Sequence, residues 1–339
     1  MAVELALTLA DPALDAALRQ GMAEVEVRLA AATAVDEPWV AAAASHLLRA
    51  GGKRLRPMLT LLASHLGDGI NDAVIDAAAT VELIHLASLY HDDVMDDAPL
   101  RRGAPSAHEV YGPTVAILTG DLLFAKASQM VSGLGGAIVR IQAETFERLC
   151  LGQIHETTGP GEGVDPVAFH LDVLAHKTGA LIATSARFGA MLGGAAPDII
   201  EAVAAYGEAV GVAFQLADDI IDLASQSAVT GKTPGTDLRE GVPTMPGLLV
   251  AAAARADLAR GVEDSENVAL ARAISGDLSS DAVLADVVER LRRNPALEES
   301  RAVARAWAAR ATAHLASLPP GPIKDAFLEV ATLFVHRLA

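Results

Sequence analysis

This sequence predicts an all-α fold, on three observations. Hydrophobic residues make up 52% of its 339 residues while aromatics make up only 4%, and the difference is carried largely by Ala and Leu, both strong helix formers. Apolar positions recur at helical spacing through most of the chain, and no segment alternates as a half-buried strand would. Gly-Gly, Gly-Asp-Gly and Pro-bearing breaks separate these segments at lengths suited to helices.

The elements follow in chain order. Residues 12–33 read as a helix with Asp11 as its N-cap. A second helix opens at Glu37-Pro38, proline being favoured in a first turn, and stops at Gly51-Gly52. After Lys53-Arg54-Leu55-Arg56-Pro57 an apolar helix runs to about Leu66, followed by a turn at Gly67-Asp68-Gly69. A long helix covers about 72–97 and ends before Pro99. The loop 100–105 precedes helices at 113–132 and 136–157. A break at 159–165 leads to one helix over 166–193 and another over 198–224. The Gly/Pro/Thr/Ser-rich stretch 225–247 reads as a functional loop, and Ala-rich amphipathic helices fill 248–338.

Charge and cysteine content exclude some functions. There are 26 Lys and Arg against 43 Asp and Glu, a net charge of −17, whereas a nucleic-acid-binding surface is expected to be basic. The single cysteine, Cys150, allows no intrachain disulfide and suits a reducing cytoplasm. The N-terminus lacks the basic start of a signal peptide. No charge-free apolar run of about 18 residues suggests a membrane span.

Two stretches carry the chemistry: Asp92-Asp93-Val94-Met95-Asp96 and Asp218-Asp219-Ile220-Ile221-Asp222. Each is Asp-Asp-x-x-Asp inside an apolar helix. Residues four apart share a helix face, so Asp92 meets Asp96 and Asp218 meets Asp222. One such cluster is usually a solvated face. Two copies among Leu, Ile, Val and Ala are harder to explain so, because carboxylates there require cationic partners. All-oxygen ligands favour a hard ion, and Mg²⁺ takes one or two carboxylates plus phosphate oxygens. Two such faces turned toward each other would hold several Mg²⁺ around one diphosphate. Because the motifs lie on either side of the 159–165 break, one shared site implies a single domain over 1–339.

The basic residues complement the acids. Lys53, Arg54 and Arg56 follow a double glycine, Arg101 and Arg102 follow the first Asp motif, and Lys177 and Lys232 each sit beside Thr and Gly. Arg grips phosphate through a bidentate fork and Lys as a point charge. Any one of them could be an ordinary surface charge. Together they suggest two phosphate-bearing ligands, one held through Mg²⁺ and one by Arg and Lys directly. His85, seven residues before Asp92, shares its face but from pattern alone reads as a satisfied core histidine. Gln215, three before Asp218, also faces that motif.

With these motifs in place the chain resembles the trans-isoprenyl (polyprenyl) diphosphate synthases. Gly51-Gly52-Lys53-Arg54-Leu55-Arg56-Pro57 is similar to their homoallylic-diphosphate motif. Asp92 to Asp96 with Arg101-Arg102-Gly103 is similar to their first aspartate-rich motif and its arginine pair. Lys177-Thr178 resembles their Lys-Thr motif, Gln215 to Asp222 their second aspartate-rich region, and Lys232-Thr233-Pro234-Gly235-Thr236-Asp237-Leu238 the loop after it. The order is kept from about 45 to 250. Val242 departs from the pattern, since many members carry a lysine there.

The resemblance implies an isoprenoid-synthase-type helical bundle around a deep central cavity, usually homodimeric. It implies Mg²⁺-dependent condensation of isopentenyl diphosphate, head to tail, onto an allylic diphosphate, with three Mg²⁺ when substrate is bound. By motif, Lys53, Arg56, His85 and Arg102 would bind isopentenyl diphosphate. Arg101, Lys177, Thr178, Gln215 and Lys232 would bind or shield the allylic end. Asp92, Asp96, Asp218 and Asp222 would be Mg²⁺ ligands, with Asp93 and Asp219 in support. A terpene cyclase would carry an Asn-Ser-Glu type second motif, absent here. A non-catalytic partner subunit would show degraded Asp motifs, and both are whole.

Product length is read from the residues above Asp92. Ser88 and Ala87, four and five before it, are small where short-chain members place a bulky aromatic. The first large side chain on that face is Ile84, roughly 12 Å beyond Asp92 at about 1.5 Å per residue. The expectation is a long-chain product of the kind that becomes a quinone side chain. The alternative is a farnesyl- or geranylgeranyl-length product.

Overall fold

The computed structural model describes residues 9–224 and 234–336, with side chains described through 333. Among them the elements are helices throughout, apart from one antiparallel ribbon of two-residue strands. The chain divides into two compact units. One comprises the chain up to Arg148, Ala180–Gly207 and His314–Glu329, and the other comprises Leu149–Gly179, Glu208–Ala313 and the chain from Val330.

In the first unit, α1 (Pro12–Thr33) is capped as expected, with the Asp11 carboxylate accepting from the Leu14 amide at 2.8 Å. The expected second helix is instead two short ones, α2 (Pro38–Ala44) and α3 (His46–Arg49). The cause is a side chain wedged into the backbone ladder. The buried Tyr90 hydroxyl donates to the Ala43 carbonyl and accepts from the Leu47 amide at 3.3 Å. Those two backbone groups would otherwise bond to each other across one helical turn, and such an insertion breaks a helix. The tyrosine leaves no local pattern in 37–50.

After the left-handed Gly51, α4 (Leu55–Ser64) is buried along nearly its whole length. It packs against α10 (Ala180–Leu192) and against α5 (Asp72–Met95), which also packs on α1 and on α7 (Pro113–Ser132). Leu59, Leu61, Leu62, Leu83, Ile84 and Ala186 have essentially no exposed surface, and burying a Leu or Ile side chain contributes about 1.5–3 kcal/mol. The Asn71 side chain caps α5, accepting from the Val74 amide at 3.0 Å. Asp96 closes its last turn and Asp97 turns left-handed at φ 48°.

The chain then forms the ribbon, Leu100–Arg101 paired with Ala104–Pro105, which the sequence pattern does not predict. Its two-residue turn is Arg102-Gly103, at φ 56° and 76°, the positive-φ combination that matches the twist of a hairpin. This turn sends the Arg102 side chain back toward the Gly51 carbonyl. A short α6 (Ala107–Tyr111) precedes α7, and α8 (Gly136–Thr158) follows it.

The helix expected over 166–193 is also split. It is observed as α9 (Pro166–Leu174), a π-helical turn at Ala175–Gly179 and then α10. The wide turn falls on His176-Lys177-Thr178 and leaves α8 very little room: a Cβ on Gly152 would lie 2.8 Å from the Lys177 amide nitrogen. π-turns occur mostly at functional sites.

In the second unit, the part of α11 (Pro197–Ala224) beyond Gly207 packs Val212, Leu216 and Ile220 with Leu174, Met245 and Leu297. The Arg292 side chain donates to the Leu223 carbonyl at 2.7 Å, closing the end of that helix. Then come α12 (Thr236–Arg239), α13 (Met245–Ala259), α14 (Glu266–Ile274), α15 (Asp281–Arg293) and α16 (Pro295–His314); the last helix, α17 (Pro322–His336), belongs to the first unit as far as Glu329. Where a loop was expected over 225–247, the described part contains α12. Lys232 lies outside the described residues.

The expectation about membrane spans needs one amendment. By length and composition, α5 and α11 are both apolar enough to cross a membrane, but 72% and 56% of their apolar windows are buried in the fold. Their hydropathy is that of core helices.

Candidate active site

The first unit gathers a cluster of arginines. The guanidinium of Arg54 is committed to the protein, reaching Glu26 at 2.7 Å and Glu82 at 2.8 Å. Burial opposes its charge, but Glu82 and Glu26 more than compensate and hold its pKa up. Arg54 is therefore a structural anchor, and it fixes the turn whose flanks carry Lys53 and Arg56.

Arg56 and Arg102 are balanced differently. Burial pushes the pKa of Arg56 down to about 10; Glu82 opposes this and Arg102 adds to it. Its Nε is buried with no hydrogen-bond partner. Arg102 is lowered by burial and by Arg54 and Arg101, against Glu82 and Asp93. It donates to the Leu47 and Gly51 carbonyls. Its guanidinium lies against Gly52, where a Cβ would be 2.7 Å from Cζ. The double glycine thus makes room for an arginine 50 residues away in sequence. His85 is pushed well below the usual histidine range by burial and then by Arg56, Arg102, Arg101 and Arg54. Positive potential here exceeds what the nearby carboxylates neutralise, which is the condition of a preformed anion site. The sequence places Lys53, Arg56, His85 and Arg102 in such a site. Of these the structure gathers Arg56, His85 and Arg102, while Lys53 is solvent-exposed.

The Asp motifs share a pattern that spacing alone does not reveal. In the first, Asp92 is half-buried and Asp96 exposed, whereas Asp93 has no exposed surface. Asp93 accepts from Arg101 Nε at 2.6 Å. Burial nevertheless raises its pKa, with Arg101 opposing. In the second motif, Asp218 and Asp222 are half-buried while Asp219 is buried. Asp219 Oδ2 lies 3.1 Å from His170 Nε2 and accepts from the Met245 amide at 3.0 Å. In both motifs, then, the second Asp is buried while the first and last keep some exposed surface.

Both motifs also lie in the last turns of their helices, α5 ending at Met95 and α11 at Ala224. Carboxylates at a helix C-terminus face the negative end of its dipole. Two acids per helix on one face, in that field, form a donor set that a hard divalent cation fits. Asp92 with Asp96 in the first unit, and Asp218 with Asp222 in the second, would each offer such a pair.

The remaining predicted residues lie in the second unit. Lys177 pairs with Glu156 at 2.5 Å, Thr178 is buried on the π-turn, and Gln215 is half-buried on the helix face of Asp218. Val242 is 37% exposed, with its amide on the Asp237 carbonyl at 2.8 Å. Of the product-length residues, Ile84 and Ala87 have no exposed surface, while Ser88 is half-exposed and donates to the His85 carbonyl. Of the two small residues, Ala87 is covered and only Ser88 keeps exposed surface. Sequence reasoning missed Glu26, Glu156 and His170. Each pairs with its partner across 21 to 49 residues and leaves no local signal.

Comparisons with known proteins bear on the family and the fold. The polyprenyl synthetase family model matches residues 37–275. A nonaprenyl diphosphate synthase of Mycobacterium tuberculosis is 41% identical over 97% of this chain and 96% of its own. A heptaprenyl diphosphate synthase component 2 of Geobacillus stearothermophilus is 33% identical over 94% and 97%. The crystal structure of a geranylgeranyl pyrophosphate synthase from Corynebacterium glutamicum, complexed with calcium and isoprenyl diphosphate, superposes with a TM-score of 0.86. It is 40% identical and covers 98% of this chain and 99% of that one.

Proposed function

The chain belongs to the polyprenyl synthetase family, and from that premise we propose that it condenses isopentenyl diphosphate head to tail onto an allylic diphosphate, making a long all-trans polyprenyl diphosphate. The observation that carries this reading is the Arg56–His85–Arg102 cluster, whose unmet positive potential suits a diphosphate bound without metal. Arg56 and Arg102 grip the isopentenyl diphosphate, with Lys53 at its rim. His85, neutral, contributes a hydrogen bond rather than a charge.

Arg101, Lys177, Gln215 and Lys232 attend the allylic diphosphate. Asp92, Asp96, Asp218 and Asp222 would hold Mg²⁺, three ions with substrate bound, and Mg²⁺ would supply charge stabilisation to the departing diphosphate. Asp93 and Asp219 act through Arg101 and His170 and orient their motifs. The allylic C–O bond breaks, the alkene of isopentenyl diphosphate attacks the cation, and a proton leaves to the released diphosphate. Thr178 and Gln215 turn oxygen dipoles toward the cation.

A long product, of the quinone-side-chain class, is favoured by the small, half-exposed Ser88 and by the name of the mycobacterial relative. A shorter product is the second reading, favoured by the name of the corynebacterial one. A homodimer is supported by apolar residues exposed on α7, Ile117 at 42% and Leu118 at 61%. Light scattering giving the mass of one chain would refute it, and a second, different subunit is the arrangement the component 2 name of the Geobacillus relative suggests. The cytoplasm is the compartment that suits a chain with one cysteine.

The test is paired. Asp92→Ala and Asp218→Ala should each lower turnover at least a hundredfold with far-UV helicity unchanged, and EDTA should abolish activity until Mg²⁺ is restored. Near-parental turnover in either variant would remove that motif from the reaction.

A further inference from the structure

Outside the residues assigned so far, two clusters among the described residues bring three possible metal ligands together, Asp97–His108–Glu109 and His155–Asp172–His176, and only the second has two histidines. His155 on α8, Asp172 on α9 and His176 on the π-turn offer one ligand atom each, all within 4.8 Å of one another. His176 Nδ1 lies 3.7 Å from Asp172 Oδ2, and the His155 and His176 ring centroids are 6.2 Å apart. The Nδ1 atoms of both histidines are shielded from solvent, and neither has a hydrogen-bond partner. A buried imidazole nitrogen without a partner is costly and calls for an explanation.

The backbone explains why these side chains meet. Asp172 and His176 are four residues apart, on one face. Gly152 has no side chain, and a Cβ there would lie 2.8 Å from Lys177 N and 3.0 Å from His176 Cβ, so the glycine lets α8 pass close to the π-turn. That contact brings His155, one turn further along α8, beside His176.

We infer that His155, Asp172 and His176 form a binding site for a divalent transition ion of the Zn²⁺ class, stapling α8 to the π-turn. Two imidazoles and one carboxylate select such ions over Mg²⁺, which prefers oxygen ligands. Tetrahedral Zn²⁺ at about 2.0–2.1 Å from each ligand needs ligand separations of about 3.3 Å, close to the 3.7 Å already present. Three protein ligands leave the fourth position to water. The site is chemically distinct from the all-carboxylate motifs and does not depend on the role proposed for Lys177.

The experiment uses the full chain carrying Cys150→Ser, so that the one thiol cannot bind the ion. The chelator-stripped protein is titrated with Zn²⁺ against a chromophoric chelator in excess Mg²⁺. One Zn²⁺ per chain is expected, with a rise in thermal midpoint and, for Co²⁺, the intense visible absorption of tetrahedral coordination. His155→Ala should weaken binding at least tenfold. So should Asp172→Asn, an isosteric change at an exposed position that cannot be confused with unfolding. Asp92→Asn should leave it intact. Zn²⁺ binding equal in the parent and Asp172→Asn, or displaced by Mg²⁺, would overturn the assignment.

Discussion

Arg56 is the residue on which the proposed division of substrates turns. It is charged at neutral pH with a pKa depressed to about 10, so an anion beside it relieves a strain that the free protein carries. Arg56→Ala should raise KM for isopentenyl diphosphate by roughly 10- to 150-fold, the loss of one charge-assisted contact of about 1.5–3 kcal/mol. KM for the allylic primer should change much less; an equal rise in both would refute separate sites. His85 gives the pH prediction. Its folded pKa lies below the unfolded value of about 6.5. The neutral ring is therefore favoured by folding, and that contribution is present above pH 6.5 and lost as pH falls through the lower value. The His85 ring resonance should show no titration between pH 6 and 8, and a midpoint near 6.5 would contradict the crowding by arginines. The first and last Asp of each motif were legible in the sequence, because i,i+4 spacing is written there. The inward turn of Asp93 and Asp219 was not, since Arg101 and His170 act through folded proximity.

At the scale of the element, the proposed control of product length turns on register along α5. The sequence nominates Ala87 and Ser88 equally, one helical turn before Asp92. Packing separates them, because Ala87 has no exposed surface while Ser88 is half-exposed. Ser88→Tyr should therefore shorten the product and keep the protein folded. Ala87→Phe should instead lower the thermal midpoint, since overpacking a filled core costs about 1–3 kcal/mol. Chromatographic sizing of the Ser88→Tyr product is the check, and an unchanged product would place the growing tail elsewhere. Helix existence was readable from periodicity and caps, as α1 and α5 show. The two breaks within expected helices were not. Tyr90 wedges open the ladder between α2 and α3 from 43 residues away, and the π-turn at 175–179 lies against Gly152 of α8, a contact with no local signal in 166–193.

For the whole molecule, composition and the order of motifs were enough to give the all-α class and the family. The arginine balance of the first unit, which separates the anchor Arg54 from the proposed diphosphate ligand Arg56, needed three dimensions. Two residues apart, they differ because Glu26 and Glu82 bond directly to the first, while burial, which outweighs Glu82 and is reinforced by Arg102, lowers the second. The central claim is that this chain elongates an allylic diphosphate with isopentenyl diphosphate. The most direct measurement incubates the purified protein with Mg²⁺, labelled isopentenyl diphosphate and an allylic primer, and sizes the dephosphorylated products. An all-trans product well beyond geranylgeranyl length is predicted. A product ending at farnesyl or geranylgeranyl length would contradict the long-chain reading, and no incorporation of label with any primer would contradict the account at its root.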